Sequence, residues 1–305
     1  MLAAPFTTVF DRLFTGFGSN KHPEPAPGDP APPAVLIVSN GRSGSTIVYQ
    51  VLVRFINCAY ISNLHALFPR LASSLLARGS GGKGPRELTK NFYGYTPAWR
   101  GVNEGNRWFQ RLFKGQPTPE ELRKRYLHMA RSLGASSHRP LIMKNILSFD
   151  RIELLHRAIP ELVFIKLERD VIQHAQSQLK AYQDLGAFSP SPHSIDFPPS
   201  QDPAGFAILQ VLELNETIEQ SLSSVATKNV VRWNYEAFCA HFPTMIKALV
   251  ENQLQLTEAA FQADIPAYTL KASNKRKVSE TEYNRIQEVL QEQGLASATS
   301  TEPVL

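Results

Sequence analysis

The sequence contains few of the side chains that build disulfide frameworks or metal sites. Only two of its 305 residues are cysteines, Cys58 and Cys239, and they lie far apart in the chain. Two isolated cysteines exclude a disulfide framework and favour a reducing compartment, so we expect a cytoplasmic protein. The eight histidines form no cluster with the spacing of metal ligands, and we therefore expect no metal ion.

Long apolar runs are also missing. No stretch reaches the roughly 20 apolar residues that cross a bilayer. No basic residue precedes Arg12, so the pattern of a secretory signal is absent as well. Residues 1–33 are predicted to form an amphipathic helix followed by a linker rich in Pro, Ser and Gly. This helix either packs on the domain or touches a membrane surface or a carrier.

A stripe of interleaved aromatic and basic residues, typical of nucleic-acid-binding modules, is absent too, so we expect no nucleic-acid partner. The net charge of +5 and the pI of about 9.2 are mildly basic and suit an anionic nucleotide or an acidic acceptor. The hydrophobic fraction of 43% is enough for one sizeable core. We therefore predict one domain over residues 34–293, with residues 294–305 as a frayed tail.

A phosphate-binding pattern stands near the start of this domain. An apolar run of strand length, Val35–Val38, leads into a loop of small residues, and a helical pattern follows at once. Such a loop presents backbone N–H groups to a phosphate, and the helix N-terminus adds partial positive charge. The absence of a Cβ at Gly44 lets an oxyanion approach, and Arg42 can bind two oxygens at once.

This loop lacks the lysine of the nucleoside-triphosphatase pattern, because Ser45 follows Gly44 directly. The segment Arg42–Thr46 instead resembles the 5′-phosphosulfate loop of sulfotransferases that use 3′-phosphoadenosine 5′-phosphosulfate. In that family the basic residue of the loop stabilises the leaving phosphate, a role that the resemblance gives to Arg42. The residues that it assigns to the 5′ end of the donor are Gly41, Arg42, Ser43, Gly44, Ser45 and Thr46.

A second segment strengthens the resemblance. The segment Leu162–Asp170 is predicted to be a buried strand that ends in a charged pair, Arg169 and Asp170, and Asp170 is suited to cap the next helix. Ser177 lies eight residues after Arg169. In sulfotransferases an arginine at the end of this strand and a serine eight residues later bind the 3′-phosphate of the donor. The resemblance therefore implies this role for Arg169 and Ser177.

Strands that alternate with helices predict the α/β class, with a single domain whose mostly parallel sheet is flanked by helices. The order of segments over residues 34–291 resembles that of sulfotransferases, whose architecture is related to the P-loop nucleotide kinases. The run Asn234–Glu236 after the last predicted strand resembles a further landmark of that family. We interpret Tyr235 within it as a packing residue.

The base that accepts the proton of the acceptor has two candidates. Residues 79–118 combine Gly and Pro with many aromatic side chains and are predicted to be a long irregular lid or binding loop, which contains Glu104. His65 lies in a helix predicted over Leu64–Ala77 and has a side chain suited to proton transfer near neutral pH. Alternatively, Glu104 is a surface carboxylate paired with Arg107, and His65 is a helix-start histidine bonded to the backbone.

Further basic side chains are candidates for the site. Lys144 follows the predicted strand Leu141–Met143, where family members often have a basic residue near the transferred group. Its alternative is a solvated lysine at a strand end. Lys275 and Arg276 belong to a late basic run that resembles a 3′-phosphate-binding loop of the family, although charge runs are commonly solvated. His174 is interpreted as facing solvent or the core.

Together these features imply transfer of a sulfuryl group from 3′-phosphoadenosine 5′-phosphosulfate to a hydroxyl or amine. The acceptor, whether a small metabolite, a lipid or a glycan, is not identified by the sequence. One alternative is a phosphotransferase with a divergent nucleotide loop. Another is a non-catalytic interaction protein that binds a nucleotide. The missing lysine and the second anion site argue against the first alternative, and the retained Arg42 argues against the second.

Overall fold

The computed structural model describes residues 29–68, 96–188, 195–262, 269–273 and 275–295. The predicted N-terminal helix and most of the predicted tail lie outside these residues. Five parallel strands form one sheet in the order β2-β3-β1-β4-β5. The strands are β1 Ala34–Val38, β2 Ala59–Tyr60, β3 Leu141–Lys144, β4 Leu162–Glu168 and β5 Val230–Asn234.

Helices cover both faces of this sheet. They are α1 Ser45–Phe55, α2 Asn63–Leu67, α3 Asn106–Leu112, α4 Pro119–Ser132, α5 Ile152–Ala158, α6 Val171–Leu185, α7 Pro203–Leu222, α8 Tyr235–Ala248 and α9 Glu280–Glu292. The predicted parallel α/β domain is confirmed. No helix among the described residues is long and apolar enough to cross a bilayer.

The central strand β1 separates two halves of the core. Its residues Ala34, Leu36 and Val38 pack with helices α3, α4, α5 and α7, whereas Val35 and Ile37 pack with α1 and α8. All five residues of β1 are buried, as expected for a parallel strand covered on both faces. A third apolar cluster joins α6, α7 and α9 beside the sheet.

The carboxyl ends of the parallel strands meet at one edge of the sheet. β1 pairs with β3 on one side and with β4 on the other. The connections that leave β1 toward β3 and toward β4 therefore run to opposite sides of the sheet. In open α/β sheets ligands bind in the crevice at such a point. The candidate phosphate loop follows β1, Lys144 ends β3, and Arg169 follows β4, so this edge carries the candidate site.

Three predictions of secondary structure are corrected by the structure. Residues 106–112 form helix α3, although the sequence predicted an irregular connection there. The sequence also predicts a second strand over Ile56–Ile61, but only Ala59–Tyr60 pairs as a strand in the sheet. It predicts a helical segment over Thr257–Gln262, where the structure has a 3₁₀ turn at Glu258–Ala260. The helix predicted over Leu64–Ala77 is present only in its first part as α2, which ends at Leu67 with Phe68 as its C-cap, and residues 69–77 lie outside the described residues.

Candidate active site

The phosphate loop has a backbone conformation that departs from both strand and helix. Arg42 has a φ of 64° and Gly44 a φ of 93°, both in the left-handed region. A Cβ placed on Gly44 would lie 2.3 Å from the ring of Tyr235, which heads α8 after β5. Glycine is therefore required at position 44 for its conformation and for its close contact with the ring. The predicted packing role fits this position of Tyr235.

Helix α6 contacts the loop from the side of β4. His174 Nε2 donates a hydrogen bond to the Gly41 carbonyl at 2.5 Å, and Gln178 Nε2 donates to the same oxygen at 2.9 Å. Both side chains are buried. Burial, together with the charges of Arg169 and Arg42, lowers the pKa of His174 to about 4, so its imidazole is neutral near pH 7.

Arg169 lies directly beside the phosphate loop. Its Nη1 donates to the carbonyl oxygen of Arg42 at 3.1 Å, and its guanidinium carbon lies 5.3 Å from the ring centroid of Tyr235. The Glu236 carboxylate is 3.8 Å from Arg169 Nε. Ser177 is buried on α6, two turns after Arg169. The structure thus places the two predicted 3′-phosphate ligands at and just before the helix that contacts the candidate phosphate loop.

The late basic run contributes through a residue that the sequence did not single out. Lys277 is half-buried, and its pKa falls to about 8 because of burial and the positive charges of Arg169 and Arg42. Its backbone N–H donates to Gln176 Oε1 on α6 at 2.9 Å. Arg276, in contrast, is exposed beside Glu280 and Tyr283 of α9, and Lys275 is exposed as well. Of the basic side chains of this run, Lys277 is therefore the one whose pKa is lowered by the charges of Arg169 and Arg42 in addition to burial.

Lys144 and Glu104 form an ion pair at the other end of the phosphate loop. Lys144 Nζ donates to a carboxylate oxygen of Glu104 and, at 3.1 Å, to Thr46 Oγ1. The Lys144 side chain is only 3% exposed, which corrects its interpretation as a solvated strand end. Asn145 donates to the Glu104 carbonyl at 3.1 Å and so fixes this segment to the end of β3. The predicted partner Arg107 instead reaches the Ala66 carbonyl at 3.4 Å.

A family model described as the sulfotransferase family matches residues 33–262, more than half of the chain. The chain belongs to the sulfotransferase family. It is therefore a transferase, and its family and fold support sulfuryl transfer. No curated protein matches the sequence.

Solved structures similar to this sulfotransferase are themselves sulfotransferases of low sequence identity. STF1 from Mycobacterium tuberculosis is 13% identical with a TM-score of 0.49, and the match covers 92% of this chain and 83% of STF1. The sulfotransferase domain from the curacin biosynthetic pathway is 14% identical with a TM-score of 0.43, covering 87% of this chain and 99% of that domain. A sulfotransferase from Alicyclobacillus acidocaldarius is 10% identical with a TM-score of 0.44, covering 87% and 96%.

His65 of the sulfotransferase is engaged in a helix cap. The Ser62 N–H donates to His65 Nδ1 at 3.2 Å, and the Ser62 hydroxyl lies 2.9 Å from the same nitrogen. Burial and the charge of Arg139 lower the pKa of His65 to about 4. The His65 carbonyl accepts a hydrogen bond from Trp108 Nε1 at 3.1 Å. The side chain thus matches its alternative interpretation, that of a helix-start histidine bonded to the backbone.

Sequence reasoning missed several residues around the loop. His174 and Gln178 are four residues apart on one helix face, which is a recognisable signal, but nothing in the sequence shows that this face meets Gly41. Lys277 belongs to the basic run that resembles the family's late loop, but the candidates taken from that run were Lys275 and Arg276. Among the described residues, no group of three or more His, Cys, Asp and Glu side chains could hold a metal ion.

Proposed function

We propose that this sulfotransferase moves a sulfuryl group from 3′-phosphoadenosine 5′-phosphosulfate to a hydroxyl or amine of an acceptor. The observation that supports the proposal most strongly is the junction of two anion-binding groups. The loop of residues 41–46 suits the 5′-phosphosulfate, and Arg169, which donates to the Arg42 carbonyl, borders that loop directly. A donor with anionic groups at both its 3′ and 5′ positions fits this arrangement.

The charges and buried polar atoms also fit such a donor. Burial, together with the positive charges of Arg169 and Arg42, lowers the pKa of Lys277. Cations that oppose one another in this way are stabilised by a bound anion. Ser43 Oγ is buried and has no hydrogen-bond partner among the described residues, so a phosphate or sulfate oxygen would satisfy it.

The ion pair at Thr46 suggests how the acceptor loses its proton. We assign Glu104 as the general base, since its carboxylate is about one-fifth exposed beside a loop that would hold the transferred group. As the bond between sulfur and the bridging oxygen of the donor breaks, sulfur bonds to the acceptor atom, and the acceptor proton passes to Glu104. Arg42 and Lys144 would stabilise the negative charge that grows on the departing phosphate.

The acceptor is proposed only as a small molecule or a glycan with a free hydroxyl or amine. Contact of the N-terminal segment with a membrane or carrier stays a prediction, because that segment lies outside the described residues. A cytoplasmic location is likewise proposed, and it is supported by Cys58 and Cys239, which are both free thiols.

A thermal-shift comparison tests the donor. We expect 3′,5′-bisphosphoadenosine to stabilise the protein more than ADP does, because ADP lacks the 3′-phosphate. At a hundredfold excess over its dissociation constant, the bisphosphate should add about 2.7 kcal/mol to the free energy of unfolding. Equal shifts with the two nucleotides would contradict the proposed donor.

The variant Ser177→Ala sharpens this test. Loss of a hydrogen bond to a charged group costs about 1.5–3 kcal/mol, so affinity for the bisphosphate should fall at least tenfold while affinity for ADP stays nearly constant. Ser132→Ala on α4, whose exposed hydroxyl donates to the His128 carbonyl, is the matched control. An equal loss for both nucleotides would show that Ser177 does not contact the 3′-phosphate.

A further inference from the structure

The conformation of the phosphate loop is held from outside the loop. The Gly41 carbonyl accepts from His174 Nε2 at 2.5 Å and from Gln178 Nε2 at 2.9 Å. Gln178 also donates to Asn40 Oδ1 at 3.1 Å. These bonds join residues more than 130 positions apart, between the first half of α6 and the loop that follows β1. Nothing in the chemistry assigned above uses His174 or Gln178.

The direction of these bonds fixes the orientation of the next backbone amide, the N–H of Arg42. A trans peptide is planar, and its N–H points opposite to its carbonyl oxygen. Because the Gly41 carbonyl points to α6, the Arg42 N–H points away from α6. Consecutive N–H groups in left-handed and right-handed residues form concave anion-binding nests, and Arg42 and Gly44 both have positive φ. Rotation of the Gly41 peptide would turn a carbonyl oxygen toward the bound anion.

We infer that His174 and Gln178 are positioning residues that orient the Gly41–Arg42 peptide for binding of the 5′-phosphosulfate. The inference rests on the proposed donor and adds two residues to its site. Both side chains act through the peptide group and do not touch the substrate. His174 is suited to this work because it stays neutral near pH 7 with its proton on Nε2, where the bond to Gly41 requires it.

The experiment removes the donors while keeping the shape of the side chains. His174→Leu and Gln178→Met each delete one hydrogen bond to the Gly41 carbonyl, and His174→Gln restores an N–H near the original position. Gln183→Met is the matched control, since Gln183 lies exposed on the same helix and donates to Glu282 instead. Dissociation constants are measured for 3′,5′-bisphosphoadenosine and for adenosine 3′-monophosphate, at a temperature where every variant is folded.

The double variant His174→Leu/Gln178→Met should bind the bisphosphate about tenfold more weakly. Its affinity for the 3′-monophosphate should be unchanged, because that ligand does not reach the 5′-phosphate loop. His174→Gln should restore most of the loss, and Gln183→Met should leave both constants unaltered. If the double variant does not fold, Gln178→Met alone carries the test. It loses one of the two bonds to the Gly41 carbonyl, so it should bind the bisphosphate more weakly than the wild-type protein does, with its affinity for the 3′-monophosphate unchanged.

Equal weakening of both ligands, or no weakening of either, would overturn the inference. These outcomes differ from failure of the proposed function. If the wild-type protein binds the bisphosphate no better than ADP, the proposed donor is wrong. If the wild-type protein prefers the bisphosphate and the double variant keeps that preference in full, the donor stands and the positioning role of α6 is wrong.

Discussion

Glu104 and His65, the two candidate bases, occupy different environments. The Glu104 carboxylate reaches the phosphate loop through Lys144 and Thr46, whereas the Nδ1 atom of His65 is used by the backbone of Ser62. A base must be within reach of the proton that it accepts, and its lone pair must be accessible. Geometry therefore favours Glu104.

The corresponding prediction compares two variants. Glu104→Gln should lower kcat by about 10²- to 10⁴-fold while affinity for 3′,5′-bisphosphoadenosine stays nearly constant. His65→Asn should change kcat only a few-fold, since the Asn oxygen can still accept from the Ser62 N–H. The measurement is single-turnover sulfuryl transfer to any accepted substrate. Collapse of the His65 variant with survival of the Glu104 variant would reverse the assignment.

Stability must be measured beside turnover, because Glu104→Gln leaves the buried Lys144 ammonium without its carboxylate. Removing one partner of a buried pair is strongly destabilising. The assay temperature should therefore lie well below the unfolding midpoint of that variant.

At the scale of elements, the turn between β1 and α1 combines an unusual backbone with a close aromatic contact. Gly44→Ala adds a Cβ at a φ of 93° and within 2.3 Å of the Tyr235 ring. Gly186 at the end of α6 also has a positive φ, of 74°, but a Cβ there meets nothing within 4 Å. Alanine at position 186 therefore measures the cost of the backbone conformation alone, whereas alanine at position 44 adds the cost of the contact with Tyr235.

We expect Gly186→Ala to lower the free energy of unfolding by about 1 kcal/mol, the cost of left-handed backbone without glycine. Gly44→Ala should cost more, and it should also weaken nucleotide binding because Tyr235 must move. Urea denaturation gives the first quantity and thermal shift with the bisphosphate the second. If both substitutions lower the free energy of unfolding equally and nucleotide binding is unaffected, the contact between position 44 and Tyr235 does not affect stability or binding.

The sequence predicts some elements well and others poorly, for physical reasons. β1 is a continuous apolar run and β4 begins with one, Leu162–Ile165, since parallel strands are buried on both faces. Asp170 caps α6 as its side chain predicts. Helix α3 was missed because it has only seven residues and little intrinsic signal. It is held by the core, where Trp108, Phe109 and Leu112 are buried.

The sequence likewise predicts some residues of the candidate site and misses others. The residues of the phosphate loop, Arg169 and Lys144 follow strand ends, so topology predicts where they meet. The contact of His174 with Gly41 and the effect of the two arginines on the pKa of Lys277 depend on how distant segments pack, which local patterns do not specify.

For the whole molecule, the two buried histidines couple stability to pH. His65 and His174 each have a pKa of about 4 in the folded protein, against an ordinary value of 6.5, mainly because burial disfavours the charged ring. Between about pH 6.5 and pH 4 the unfolded chain binds more protons at these positions than the folded protein does. Stability therefore rises with pH across this window and falls on acidification.

Each histidine should contribute a slope of up to about 1.4 kcal/mol per pH unit. The free energy of unfolding, measured in urea at intervals from pH 4.5 to pH 7, should show this slope. The variant His65→Asn/His174→Gln should show a smaller slope while the contribution of the carboxylates is retained. Identical slopes for the variant and the wild-type protein would mean that these histidines are protonated equally in both states.

The order of strands in the sheet has a consequence for how the protein is made. β1 is synthesised first, but its hydrogen-bonding partners are β3 and β4, and the Gly41 carbonyl is bound by His174, 133 residues later. At translation rates of about 5–20 residues per second, Gly41 waits roughly 7–27 s for that residue to be added. A nascent chain shorter than this carries every residue of the phosphate loop but not the helix that supports it. The proposed anion site is therefore complete only late in synthesis.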